Sequence, residues 1–261
     1  MIKLINNIVI RIISSFILNQ SKRKAFRQRY LIDKRAFLLP VSITGNNNKI
    51  IIIKNGKEYF LKNGDKLFGI KLKITGNNNT VKLIYPIKFN GSTIEIIYSN
   101  NAYVEVNPSP QADGLHISMA YGNNQKIIIG ENTTFCGLKI TAPSNSSCII
   151  GKNCMFAEFV KCWCGDCHMI MDKTTGELLN PDPEALVIGN HCWIGESSRL
   201  LKNTILPDNT IVAACSVVTK NFKQENMIIG GTPAKILRKN VVWSRENQCT
   251  KNLEPFKEVL K

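Results

Sequence analysis

Six-residue steps taken from Ile188 land on Ile194, Leu200, Leu206, Val212 and Val218, every one of them aliphatic. Two residues ahead of each arrival lies a small side chain: Cys192, Ser198, Thr204, Thr210 and Ser216. Gly189 and Gly195 follow the first two aliphatic positions directly. A strict hexad matches neither a helical stripe of period 3.6 nor a plain alternating strand. It matches a triangular solenoid in which each flat face takes one hexad. The aliphatic residue then points inward and the small one fits near a corner. Self-similarity at a short fixed period is the mark of a stacked-repeat fold.

The beat extends upstream. Ile129-Gly130 and Ile150-Gly151 start hexads that continue through Phe135, Phe156 and Cys162, and it then lapses between Gly165 and Leu186. Cys162 to Ile188 spans one hexad plus twenty residues, so an excursion is expected there. Residues 172–184 (DKTTGELLNPDPE) carry Gly, Asn and two prolines and read as a loop thrown out of the coil. Further upstream, Ile43–Asn48 (ITGNNN) returns as Ile74–Asn79, each followed by β-formers. Asn and Gly tolerate left-handed backbone and suit solenoid corners. The predicted organisation is a basic amphipathic helix over 1–30, an irregular β-solenoid over 31–128, a regular hexapeptide domain over 129–240 and a tail over 241–261. Ile228–Ala234 leaves the solenoid, and the segment from Lys235 onward is predicted to be partly helical.

Lys and Arg number 34 against 19 Asp and Glu, and the isoelectric point is near 9.5. That balance favours anionic partners, although the cations are mostly spread out, as on a solvated surface. No basic stripe is interleaved with aromatics, which argues against nucleic acid. Near the N-terminus, Lys3, Asn7, Arg11, Ser14 and Ser15 recur at helical spacing opposite Ile5, Ile8, Val9, Ile12, Phe16 and Ile17. Lys22, Arg23, Lys24, Arg27 and Arg29 follow. Such a helix lies on an anionic membrane surface or packs on protein. Residues 1–20 are too broken for a spanning helix and no small-residue cleavage site follows them. The expected location is therefore cytoplasmic, peripheral at the inner membrane if the helix binds lipid, with the nine cysteines reduced.

Three histidines are present: His116, His168 and His191. His168 stands apart, because in an extended segment Asp166, His168, Ile170 and Asp172 share one face. A carboxylate beside a histidine fixes its tautomer and supports its basicity, which suits general-base work on a hydroxyl. Cys164–His168 spells C-x-x-C-H, the haem-attachment spacing, but that attachment needs export. In a strand Cys162 and Cys164 face away from Cys167, so metal ligation would require a turn, and buried thiols are expected instead.

The run Asp166–Asp172 (DCHMIMD), Gly176–Asn180 (GELLN), Val187–Gly195 (VIGNHCWIG), Ile211–Lys220 (IVAACSVVTK) and Gly231–Lys235 (GTPAK) resembles the hexapeptide-repeat acyltransferases. The resemblance covers residues 129–240 and is nearest to the bacterial branch that O-acetylates capsular and lipopolysaccharide sugars. It implies a left-handed parallel β-helix, homotrimers with sites between subunits, and acetyl-CoA as donor; on the cysteine and histidine spacing no metal is expected. His168 matches the catalytic base and Trp193 an aromatic residue near the reacting centre. Ala213, Ala214 and Ser216 fall beside the expected pantetheine arm, and Lys220, Lys235 and Arg238 are candidates for the CoA phosphates. Two departures are visible: Ala213-Ala214-Cys215 stands where Gly-Ala-Gly is common, and Met169 where proline is common.

The expectation is thus an acetyl-CoA-dependent O-acetyltransferase acting on a bacterial envelope polysaccharide or its sugar precursor. His168 would be oriented by Asp166, Asp172 or a backbone carbonyl. The rivals are N-acetylation of an amino sugar nucleotide, acetylation of an antibiotic, and a non-catalytic solenoid that binds glycan or protein.

Overall fold

A computed structural model describes residues 38–246. The expected helix over 1–30 and the last residues of the tail lie outside the described residues. Those described form a left-handed parallel β-helix with three faces, built from one nine-stranded and two eight-stranded sheets. Each coil visits the faces in a fixed order. Lys161–Trp163 lies on the first face, Leu186–Ile188 on the third and Trp193–Ile194 on the second, and Arg199–Leu201 returns to the first. Successive coils stack in parallel register, with Cys162 over Leu200 and Leu200 over Val218.

The hexad residues line the core. Ile188, Ile194, Leu200, Leu206, Val212 and Val218 are at most 1% exposed, and the small residues Cys192, Ser198, Thr204, Thr210 and Ser216 are fully buried. Burying one such aliphatic side chain contributes roughly 1.5–3 kcal/mol, so the inward column holds each coil on the next. The small positions leave room for the corner backbone, and their hydroxyls satisfy it: Ser216 donates to the Ala213 carbonyl and Thr210 to the Pro207 carbonyl. At Gly195 a Cβ would come 2.6 Å from the Ala214 amide nitrogen of the next coil, so only glycine lets the two backbones approach.

Coil length changes along the axis. The stacked first-face residues Leu72, Ile94, Ile117, Ile140 and Cys162 are 22 or 23 positions apart, whereas Leu200 and Val218 are 18 apart. The longer coils spend their extra residues on asparagine corners. Asn47, Asn78, Asn101, Asn124 and Asn145 all have positive φ, and Asn101, Asn124 and Asn145 hydrogen-bond amide to amide up the edge.

Each end of the stack is closed by antiparallel pairing, which blunts exposed strand edges. Lys57–Leu61 pairs with Lys49–Lys54 and Lys66–Phe68 with Leu38–Thr44. At the other end Ala234–Lys239 folds back on Met227–Gly231. Residues 235–239 are therefore strand rather than helix, because an open parallel edge above Ile211–Val212 offers backbone partners. The chain then runs down the second face as a strap. Trp243 stacks on His191 at 4.3 Å and donates from Nε1 to its carbonyl. Arg245 donates to Thr134 Oγ1 and to the carbonyls of Asn132, Asn153 and Cys154.

Candidate active site

The beat lapses where the chain turns from the first face to the third. From residue 162 to residue 200 this coil takes 38 positions, twenty more than the 18 from Leu200 to Val218. The extra chain forms a small hairpin. Leu179 donates its amide to the Ile170 carbonyl, Met171 bridges Leu178, and Asp172 donates its amide to the Glu177 carbonyl. Asp172 Oδ1 accepts the amides of Thr174 and Thr175, which holds its carboxyl below the usual range. A short polar side chain that binds its own backbone two and three residues on makes this turn. Asp172 is thus a turn former at the hairpin tip.

Between hairpin and coil edge lies a cleft of about 460 Å³, lined by Asp166, His168 and Asn180 on one side and by Tyr121, Thr141 and Ser144 on the other. His168 is exposed to the cleft, and its imidazole has no hydrogen-bond partner among the described residues. A free ring nitrogen facing a solvent-filled cleft is available to an incoming hydroxyl. Asp166 makes no hydrogen bond to the ring. Its Oδ2 receives Lys202 Nζ and Asn180 Nδ2, and those two bonds, Lys202 first, lower the Asp166 pKa. The extended segment expected over 166–172 is broken by bends at Cys167 and His168, so its alternation does not run through from Asp166 to Asp172.

Asn180 ties the site together. Its Nδ2 also donates to the His168 carbonyl at 2.8 Å, and its Oδ1 accepts the Ile170 amide at 2.7 Å. Asn180 closes the GELLN motif, but neither it nor Lys202 carries a sequence signal for this role. Lys202 meets Asp166 only because the next coil lays residue 202 over the same corner. Cys162 and Cys164 are buried and Cys167 is exposed. The Cys148 thiol, hydrogen-bonded to Cys162 and Cys164 and buried, is pushed well above its ordinary range. His116, half-buried on the first face, has its pKa lowered by burial and then by Lys139.

The other expected site residues lie elsewhere. Ala213, Ala214 and Ser216 occupy the edge between the second and first faces, with Ser216 buried and Ala214 exposed. Trp193, partly exposed at 38%, and the hairpin residues Lys235 and Arg238 are on the second face, which does not border the His168 edge. Trp193 packs beside Trp243 with ring centroids 5.9 Å apart. Lys220 departs from this group: it follows Val217–Val218 on the first face and so sits on the His168 edge, over Phe222. Within one chain, then, the His168 cleft and the small-residue edge are separate.

No family model matches the chain. The polysialic acid O-acetyltransferase of Escherichia coli O1:K1 is 25% identical over 148 residues, 56% of this chain and 46% of that protein. Galactoside O-acetyltransferase of Escherichia coli K12 is 27% identical over 124 residues, 47% and 57% of the two chains. The crystal structure of the polysialic acid O-acetyltransferase OatWY superposes with a TM-score of 0.63 and 26% identity, covering 85% of this chain and all of that one. In sequence and in fold the chain is similar to hexapeptide-repeat acyltransferases. This hexapeptide-repeat chain spans about half the length of the curated relatives it matches. The six-residue repeat accounts for the buried column; the inserted hairpin and its cleft are what distinguish this coil from those above it.

Proposed function

We propose that the protein transfers an acetyl group from acetyl-CoA to a hydroxyl of an acidic envelope polysaccharide. The observation that carries this reading is the unpartnered imidazole of His168 in an open cleft, held by a hairpin that Asn180 staples to the coil. His168 takes the proton of the acceptor hydroxyl as that oxygen bonds to the thioester carbonyl carbon. When the carbon–sulfur bond breaks, the imidazolium returns the proton to the departing thiolate, so the base is regenerated. Asn180 positions His168 through its backbone, in place of the carboxylate orientation expected of Asp166 or Asp172.

The donor's half of the site is supported by chemistry rather than by contact. Ala213 and Ala214 leave a shallow edge that suits a thin flexible arm, and Lys235 and Arg238 are exposed cations nearby that suit its phosphates. Two half-sites on different edges of one prism favour a homotrimer in which a neighbour's edge completes the cleft. Met169, Ile170, Met171 and Leu179 are 50% exposed or more on the hairpin, an apolar strip that suits such a neighbour. An acidic acceptor is supported by the excess of basic residues and by Lys139, Lys161 and Arg199, which stack in register on the first face. The relatives' named acceptor, polysialic acid, is of this kind. The basic pattern over 1–30 fits work at the inner membrane face.

Thiol release from acetyl-CoA, followed across acidic and neutral bacterial polysaccharides with wild type and His168→Ala, tests the proposal. Acceptor-dependent release that falls about 10²–10⁴-fold in the variant is the expected result. Release that His168→Ala leaves unchanged would remove the proposed base.

A further inference from the structure

Asparagine dominates the left-handed corners of this solenoid, but two tyrosines also hold that conformation, Tyr98 at φ 49° and Tyr121 at φ 52°. A bulky side chain with positive φ is an outlier that costs free energy, and such residues cluster where function needs them. Folding gains little in return here, since Tyr98 is 66% and Tyr121 77% exposed. The two stand on consecutive coils, because Ile97 pairs with Ala120 immediately before them and the Tyr121 amide donates to the Ile97 carbonyl. Their rings lie 5.5 Å apart at 30°, forming a continuous surface rather than two isolated side chains. Tyr121 also lines the His168 cleft, so the surface runs from the cleft down the same edge.

We infer that Tyr98 and Tyr121 form an aromatic shelf that holds successive sugar rings of a polymeric acidic glycan next to the His168 cleft. This rests on the proposed acetyl transfer only for the identity of the reacting residue in the cleft. Pyranose rings present C–H faces that pack on aromatic planes while their hydroxyl rims stay hydrated, and tyrosine supplies an apolar face with a polar tip. Stacked coils space the two rings by about the length of one sugar residue, so a linear chain meets one ring per coil. Across the first face from the shelf, at the start of the strands where Lys139 aligns with His116, Lys139, Lys161 and Arg199 stack in register and make that face cationic toward an acidic glycan. A lone sugar nucleotide in the cleft would have no use for the second tyrosine. The shelf therefore selects polymer over precursor.

The test is binding by the full chain without acetyl-CoA, so that no turnover is required. The probes are sialic acid oligomers from monomer to hexamer, hexuronic acid oligomers of the same lengths and neutral maltohexaose. Wild type is expected to bind one acidic series with affinity that rises with length. The Tyr98→Ala/Tyr121→Ala double variant should lose about tenfold or more for the hexamer and little for the monomer. Tyr98→Trp/Tyr121→Trp should retain the hexamer affinity, which a purely structural role would not predict. Unchanged hexamer affinity in the alanine variant, equal losses at every length, or no binding to either acidic series would overturn the shelf. Length-dependent binding without any acetyl transfer would leave the shelf standing and sink the acetyltransfer proposal instead.

Discussion

Replacing Asn180 with alanine removes three hydrogen bonds at once, to Asp166 Oδ2, the His168 carbonyl and the Ile170 amide. A neutral bond contributes about 1 kcal/mol net and one to a carboxylate somewhat more, less where water can replace it. For this half-exposed side chain the sum is roughly 2–3 kcal/mol of local ordering. No hairpin residue between Cys164 and Leu186 belongs to the buried core, so this energy is expected to set the population of correctly placed His168 rather than global stability. With about 1.4 kcal/mol per factor of ten, kcat should fall roughly thirty- to hundredfold. The melting temperature should stay unchanged, and amide exchange over residues 166–180 should quicken. Asn180→Asp should be worse than alanine, because it places a second carboxylate against Asp166. Steady-state thiol release with saturating acceptor, paired with hydrogen exchange, reads both quantities. A wild-type kcat in Asn180→Ala, with exchange in the hairpin also unchanged, would refute the positioning role.

Acid should spare the Asp166–Lys202 contact longer than an ordinary carboxylate contact. The folded Asp166 pKa is lowered, so its contribution is fully present above the unfolded value near 3.9 and is lost only as pH falls through the lower folded value. Carbon-13 titration of the Asp166 carboxyl should place its midpoint below the usual aspartate range, and Lys202→Met should return it upward. Arg245→Ala takes away the guanidinium that serves three carbonyls and Thr134 Oγ1, and should cost about 1–3 kcal/mol. Thermal melting should register that loss, and exchange should quicken around Asn132 and Cys154. Leu200→Ala, at a fully buried hexad position, should cost about 2–5 kcal/mol in urea unfolding.

The repeat was the most legible part of the chain. A period of six names the inward residue of every face, and the positions from Ile188 to Val218 are buried as that period requires. Counting residues across the lapse also measured the insertion at twenty. Local pairing chemistry was less readable. Asp166 and Asp172 share a face only in an extended strand, yet the chain bends at Cys167 and His168 between them, and Asp172 is drawn into the turn at the hairpin tip.

By itself the sequence determined the prism, its core column, its asparagine corners and the coil that carries an insertion, because these follow from side chains within a few residues of one another. Only the tertiary structure decided which distant residues share an edge. Lys202 reaches Asp166 across the coil of 38 residues and Tyr121 stacks on Tyr98 across one of 23, because each coil length lays a different sequence interval over one corner. Hydrophobic periodicity specifies which way a residue points. The stacking of coils specifies what lies above and below it, and at this site the chemistry depends on those vertical neighbours.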